Sequence, residues 1–147
     1  MSFSWGNLFG QRDVRETNAN PTTSGTKYAS VAGSQFQNVF ESEYHARNAH
    51  SIQNKTGTAR AVYCNIQIPD GATIIAARVS GSDSTNTWKL QRYEFGGAIT
   101  TIATTTANTE DTSILDGTVD NATYVYVLEI TLGDDDSCYG GRVTYTI

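Results

Sequence analysis

Residues 60–81, RAVYCNIQIPDGATIIAARVSG, indicate two β-strands joined by a tight turn. In the first half, Val62, Cys64, Ile66 and Ile68 alternate with more polar residues, which is the two-residue period of a half-buried strand. Residues 69–71, Pro-Asp-Gly, end this strand, because proline fixes its own φ and glycine supplies the backbone freedom of a turn. A second strand is predicted to follow at once and to end near residue 81.

The same alternation continues towards the C-terminus. Residues 87–95, TWKLQRYEF, and 98–106, AITTIATTT, are separated by Gly96 and Gly97, as expected for a hairpin. Residues 112–115 are a candidate short strand. Residues 123–132, TYVYVLEITL, and 138–147, CYGGRVTYTI, are predicted as the two strongest strands, and the second would place Tyr139 on the same face as Val143 and Tyr145.

Residues 35–54, QFQNVFESEYHARNAHSIQN, show the weakest pattern in the chain. Phe36, Val39 and Phe40 are compatible with one helical turn, but equally with an irregular strand or coil that plugs one end of the fold. Many short strands with regular turns and no long helical segment predict an all-β protein, specifically an antiparallel β-sandwich or jelly roll. We assign residues 28–147 to this single domain and residues 1–27 to an extended N-terminal arm.

Composition and charge argue against nucleic acid and membranes as partners. The chain has a formal net charge of −5, which argues against nucleic acid as a partner because phosphate binding requires clustered Lys and Arg. There is no apolar run near the roughly 18 residues of a membrane helix, so no membrane partner is predicted. Because Cys64 and Cys138 match no zinc-site or redox spacing, we expect buried free thiols, with a disulfide as the alternative.

The N-terminal arm begins MSFSWGNLFG and lacks the basic region, apolar core and cleavage site of a signal peptide. Synthesis in the cytoplasm is therefore expected. Phe3, Trp5, Leu8 and Phe9 precede a polar segment that resembles a tether. These four residues are either an assembly arm that docks on a neighbour, or an additional strand on the domain that carries them.

Candidate sites for chemistry are weak. His45 and His50 lie five residues apart, a spacing that places them side by side on neither a helix nor a strand, so no metal site is predicted there, even with Glu41 and Glu43 nearby. Asp134, Asp135 and Asp136 form an acidic turn that is either a solvated strand connection or, as the alternative, a calcium site with Asp70, Asp83 or Asp120 as further donors. No catalytic motif is present and no cofactor is predicted, so we expect a protein that is not an enzyme.

Exposed aromatic residues on a sandwich can stack on sugar rings. Four residues are candidates for such a platform: Trp88, Tyr93, Tyr63 and Tyr139. Core packing is the alternative for each of them. A lectin-like module that binds a surface glycan is therefore the alternative function.

The order of four motifs resembles a β-sandwich domain of uncharacterised bacterial and phage proteins. These are IPDGATI at residues 68–74, Asp83 in the next loop, TVDNATYVYVLEITL at 118–132 and YGGRVTYTI at 139–147. The resemblance covers residues 62–147 and departs from the usual motif by Ile68 in place of leucine. It transfers no catalytic residue.

The resemblance also implies a function. Jelly-roll domains of this size with a short preceding arm are similar to capsid decoration, spike or tail-fibre proteins of tailed phages. Such a protein would be a homo-oligomer, with a trimer favoured, would dock on the major capsid or another virion protein, and would be located in the virion. The edge strands, rich in Thr and Ser and poor in Lys, also leave room for subunits to pack together.

Overall fold

The computed structural model describes residues 25–147, which form an all-β protein with two antiparallel sheets. In chain order the elements are β1 (Thr26–Ala32), a 3-10 turn (Gly33–Gln35), β2 (Gln37–Asn38), β3 (His45–Arg47), β4 (Ile52–Asn54), β5 (Arg60–Asn65), β6 (Thr73–Gly81), β7 (Thr87–Glu94), β8 (Ile99–Thr106), β9 (Tyr124–Leu132) and β10 (Ser137–Thr146). The predicted fold class is confirmed. β1 begins two residues before the predicted start of the domain.

The strand order is that of a jelly roll. In sheet 1, β10 lies between β1 on one side and β6 and β4 on the other, and β3 continues beyond β4. Sheet 2 has the order β2-β5-β9-β7-β8. Most consecutive long strands lie in different sheets, and the β7–β8 hairpin lies within sheet 2. This is the connectivity of a jelly roll, which consists of two Greek keys. A jelly roll has eight strands, and the eighth would lie beside β6. Residues 107–120 take this position, but their β-pairing with β6 is limited to the isolated bridges Ala77↔Asp111 and Thr73↔Thr118. The strand anticipated at residues 112–115 is thus a loop.

The core lies between the sheets and is built from the predicted alternation. Val62 and Cys64 of β5 face Leu128 and Ile130 of β9, and all of these side chains are buried. Ile66 and Ile68 continue the buried row beyond the end of β5. The alternation in residues 60–68 therefore decides which face of sheet 2 is buried.

Two details of the sequence prediction change in the structure. Tyr139 lies on the opposite face from Val143, because β10 shifts register between Cys138 and Gly140, where Gly140 has a φ of 153°. Such an irregularity moves one side chain to the other face of the sheet. Residues 33–54 form the 3-10 turn and three short strands, so the interpretation as strand or coil is confirmed and the helical alternative is wrong. The expected plug is formed by Phe36 alone, because Val39 and Phe40 are exposed. Among residues 25–147, no helix is long and apolar enough to span a membrane.

Candidate functional surfaces

One of the two flanks between the sheets is closed by the loop of residues 107–120. On sheet 1, Asp111 exchanges backbone hydrogen bonds with Ala77, at N···O distances of 2.9 and 3.0 Å. On sheet 2, the Asp111 carboxylate accepts a hydrogen bond from the Thr104 amide at 2.9 Å, and the Leu115 amide donates to the Ile102 carbonyl at 3.0 Å. The loop thereby covers the edges of both β6 and β8, which removes them as sites of pairing with another chain.

No part of residues 25–147 covers the opposite flank. β1 is an edge strand of sheet 1, and β5 of sheet 2 pairs on its outer side only with the two residues of β2. Between them lies a cleft of about 1640 Å³, lined by residues 28–31 of β1 and residues 63–69 on the other wall. We call this cleft the open flank. Within residues 25–147, the sandwich therefore leaves strand edges uncovered on one side and covers them on the other.

The walls of the open flank are held by hydrogen bonds that are already formed. The Arg47 guanidinium donates to the backbone carbonyls of Ser34, at 3.0 Å, and Phe36. The Asn121 side-chain amide donates to the Ile68 carbonyl at 2.9 Å. Phe36 is fully buried, and a Cβ added to Gly33 would lie 2.0 Å from the Cys138 carbonyl oxygen, so the 3-10 turn is packed directly on β10. The open flank is consequently a formed surface of the fold.

The rim of the open flank carries exposed apolar side chains. Tyr28 is 59% exposed and Val39 is 46% exposed, and both line the cleft. Val31 and Tyr145 contribute apolar surface deeper in the same cleft. The predicted assembly residues Phe3, Trp5, Leu8 and Phe9 lie outside the described residues. Sequence periodicity could not identify the open flank, because the cleft is defined by which strands lack a partner.

The three carboxylates of the acidic turn, residues 134–136, each interact with a different partner. Asp134 accepts a hydrogen bond from the Gly57 amide at 2.9 Å, Asp135 pairs with the Lys55 ammonium at 2.6 Å, and Asp136 accepts from the Asn86 amide at 3.1 Å. Within residues 25–147, no group of three His, Cys, Asp or Glu side chains is placed to hold a metal ion. Of the three possible outside donors, Asp83 and Asp120 each accept a backbone hydrogen bond in a local turn, and Asp70 accepts one from the distant Asn121 amide at 2.8 Å.

Asn54 explains why this turn is fixed in place. Its side-chain amide is fully buried and donates to the carbonyls of Thr58 at 2.8 Å and Leu132 at 2.9 Å. Its Oδ1 accepts from the Thr56 amide and hydroxyl at 2.9 and 2.7 Å. One side chain therefore joins the loop after β4 to the end of β9.

The histidines are separated by the fold. His45, in β3, is 8% exposed, and burial lowers its pKa below the usual value, so the neutral form is favoured. His50 is exposed in the turn between β3 and β4. Glu43 forms an ion pair with Arg60 at 3.0 Å. These positions give no shared site for the two imidazoles.

The four candidate sugar-stacking residues do not form one platform. The assignment of Trp88 is wrong, because its ring is fully buried in the core and its indole N–H donates to the carbonyls of Thr106 and Thr109. Tyr63 and Tyr93 are half-buried on the outer face of sheet 2. Tyr139 is 52% exposed on the other sheet. The sequence does contain a signal for this burial. A tryptophan that alternates with a leucine in a strand, as Trp88 does with Leu90, is typical of a core residue.

A second concave surface lies on the outer face of sheet 1. It is a depression of about 440 Å³ whose floor is the bare backbone of Gly140 and Gly141. We call it the arginine depression, and the side chains around it are Ser30, Arg78, Ser80, Tyr139 and Arg142. Sequence reasoning did not select the two arginines, since only the pairing of β6 with β10 brings them together.

The two cysteines are buried free thiols. Burial raises the pKa of Cys138 to about 12 and also raises the pKa of Cys64. Both side chains belong to the hydrophobic core. The expectation of unpaired thiols therefore agrees with the structure.

No protein-family model and no curated protein sequence matches the chain. Among solved structures, the cyanophage Pam1 capsid is 20% identical over 85% of both chains, with a TM-score of 0.40. TmCBM61, solved in complex with β-1,4-galactotriose, is 8% identical over 89% of this chain and 92% of its own, with a TM-score of 0.36. A chain of infectious bursal disease virus strain Gx is 13% identical over 83% of this chain and 32% of its own, with a TM-score of 0.31. Likenesses at this distance do not decide the function.

Proposed function

We propose that the protein is a non-enzymatic structural component of a phage virion that assembles with copies of itself. The observation that supports the assembly role is the asymmetry of the two flanks: residues 107–120 cover one pair of strand edges, whereas no part of residues 25–147 covers the other pair. An uncovered edge next to a cleft is a site where an extended segment of another chain can add. The virion setting follows from the sequence motifs that resemble phage proteins.

The occupant that fits the open flank is the N-terminal arm of a neighbouring copy. Residues 1–24 immediately precede the described part of the chain and include four large apolar residues: Phe3, Trp5, Leu8 and Phe9. Fully extended, a segment of this length spans on the order of 80 Å, which is enough to reach a second domain. Burying each large apolar side chain contributes about 1.5 to 3 kcal/mol, so the four together can offset the ordering of the segment. Exchange of such arms around a closed ring favours a symmetric oligomer, and we propose a trimer.

The proposal is tested by the oligomeric state of the full chain and two sets of variants. Light scattering after size exclusion should give a discrete oligomer for the full chain and a monomer after deletion of residues 1–20. The double variant Val39→Lys with Gln67→Lys introduces charge at exposed cleft positions and should also give a monomer. Ile99→Lys with Thr112→Lys makes equivalent changes at exposed positions on β8 and the closing loop, and should leave the oligomer intact.

Two results would contradict assembly through the open flank. One is a full-length protein that stays monomeric at every concentration, which would be expected if the arm folds onto its own domain. The other is an oligomer that survives both the deletion and the cleft substitutions. The virion role is tested separately by immunogold labelling of purified phage particles, and label confined to the particle-free lysate would contradict it.

A further inference from the structure

The outer face of sheet 1 is electrostatically distinct from the rest of the protein. β6 and β10 present Arg78 and Arg142 on this face, and β1, β6 and β10 contain no Asp or Glu, although the chain has 15 acidic residues against 10 basic ones. Among residues 25–147, the ion pairs are made by Lys55, Arg60 and Arg92. Neither arginine of the arginine depression has an acidic partner in this part of the chain.

The two arginines are direct cross-strand neighbours. Arg142 of β10 pairs in register with Arg78 of β6 on one side and with Ser30 of β1 on the other. Like charges placed opposite each other destabilise an antiparallel sheet, so this arrangement is unfavourable without an anion. The Arg142 guanidinium lies 5.2 Å from the centre of the Tyr28 ring, a cation–π distance that orients its side chain. Two arginines on neighbouring strands can hold one carboxylate when both side chains turn towards it and donate paired N–H groups.

The remaining features favour a sugar over a peptide. Both sides of β10 are already paired at this point, so an extended peptide has no free strand edge to add to. The volume of about 440 Å³ is within the range of small-molecule sites. Tyr139 offers a half-exposed ring for stacking, and the hydroxyls of Ser30 and Ser80 offer hydrogen bonds to sugar hydroxyls.

We propose that the arginine depression binds a carboxylated sugar, with Arg78 and Arg142 on the carboxylate and Tyr139 against the ring. The depression borders the open flank, and Ser30 and Val31 line both surfaces, but the side chains proposed to bind the sugar differ from those substituted in the oligomer test. A failure of one test therefore leaves the other result interpretable.

The test uses trigalacturonate as the probe and its methyl ester as a neutral control of the same shape. Titration followed by amide NMR shifts should show trigalacturonate binding, with shifts at Gly140, Gly141 and Arg142, and no comparable binding of the ester. Arg78→Gln and Arg142→Gln should each weaken binding by about tenfold or more, since each removes a charged hydrogen bond. Arg142→Lys should weaken it as well, because lysine keeps the charge but lacks the planar pair of donors.

Tyr139→Ala should weaken binding through loss of the stacking surface, while Lys89→Gln on the exposed face of sheet 2 should leave it unchanged. Thermal melts of each variant establish that loss of binding is not loss of folding. Equal binding of the methyl ester, shifts outside the depression, or full binding by the Arg→Gln variants would overturn the proposal. Tighter binding of a triglutamate peptide than of trigalacturonate would also overturn it, in favour of an acidic protein partner.

Discussion

Replacing Asn54 with alanine should produce a loss of stability far larger than the size of the side chain suggests. The substitution removes the donor to the buried Leu132 carbonyl, and an unpaired buried backbone group costs about 1 to 3 kcal/mol. It also removes the partly buried hydrogen bonds to Thr58 and Thr56, which contribute about 1 kcal/mol each. The expected loss in the free energy of unfolding is about 4 kcal/mol, which lowers Tm by on the order of 10 to 15 °C.

Urea unfolding followed by tryptophan fluorescence measures this loss, because Trp88 lies in the core. Gln53→Ala is the matched control. It removes the adjacent side chain, whose one hydrogen bond, to the Asp135 carbonyl at 2.9 Å, is exposed, and should cost less than about 1 kcal/mol. If Asn54→Ala costs no more than Gln53→Ala, the claim that Asn54 joins the two loops is refuted.

Two further predictions follow from buried titratable groups. Because burial lowers the pKa of His45 in the folded state, the unfolded chain takes up the proton first, so the free energy of unfolding should fall as the pH drops below 6.5. His45→Phe should flatten this dependence and His50→Gln should not, and a wild-type stability that is constant from pH 7 to about 5.5 would contradict the assignment. The Cys138 thiol, with its pKa raised to about 12, should resist Ellman's reagent at pH 8 in the folded protein. Both thiols should react in urea, and rapid labelling of the folded protein would show that the core is open.

The sequence predicted the long strands because their buried faces are apolar at every second residue. β5 and β9 follow this rule along their length, β7 follows it at Trp88 and Leu90, and β6 follows it on either side of a register shift. β1 was missed because its inward side chains, Ala29 and Val31, are small and partly exposed, so the alternation in residues 26–32 is faint. The prediction for Tyr139 was wrong because a register shift depends on how β10 meets its neighbours, and periodicity carries no information about that.

The candidate sites were harder to predict than the strands. The open flank depends on which strands lack a partner, and the arginine depression depends on the register between two strands far apart in the chain. Neither property can be read from local spacing. The acidic turn was visible in the sequence, but only the structure shows that its three carboxylates have separate partners.

The position of β10 in the middle of sheet 1 sets the timing of folding on the ribosome. Both β1 and β6 pair with β10, so neither can join sheet 1 until residues 137–146 have emerged. Until then, within residues 25–147, β1 has no partner strand and β6 is paired only with the loop of residues 107–120, and unpaired strand edges are prone to aggregation. Polypeptides that terminate before residue 137 should be cleared by proteases or accumulate in inclusion bodies.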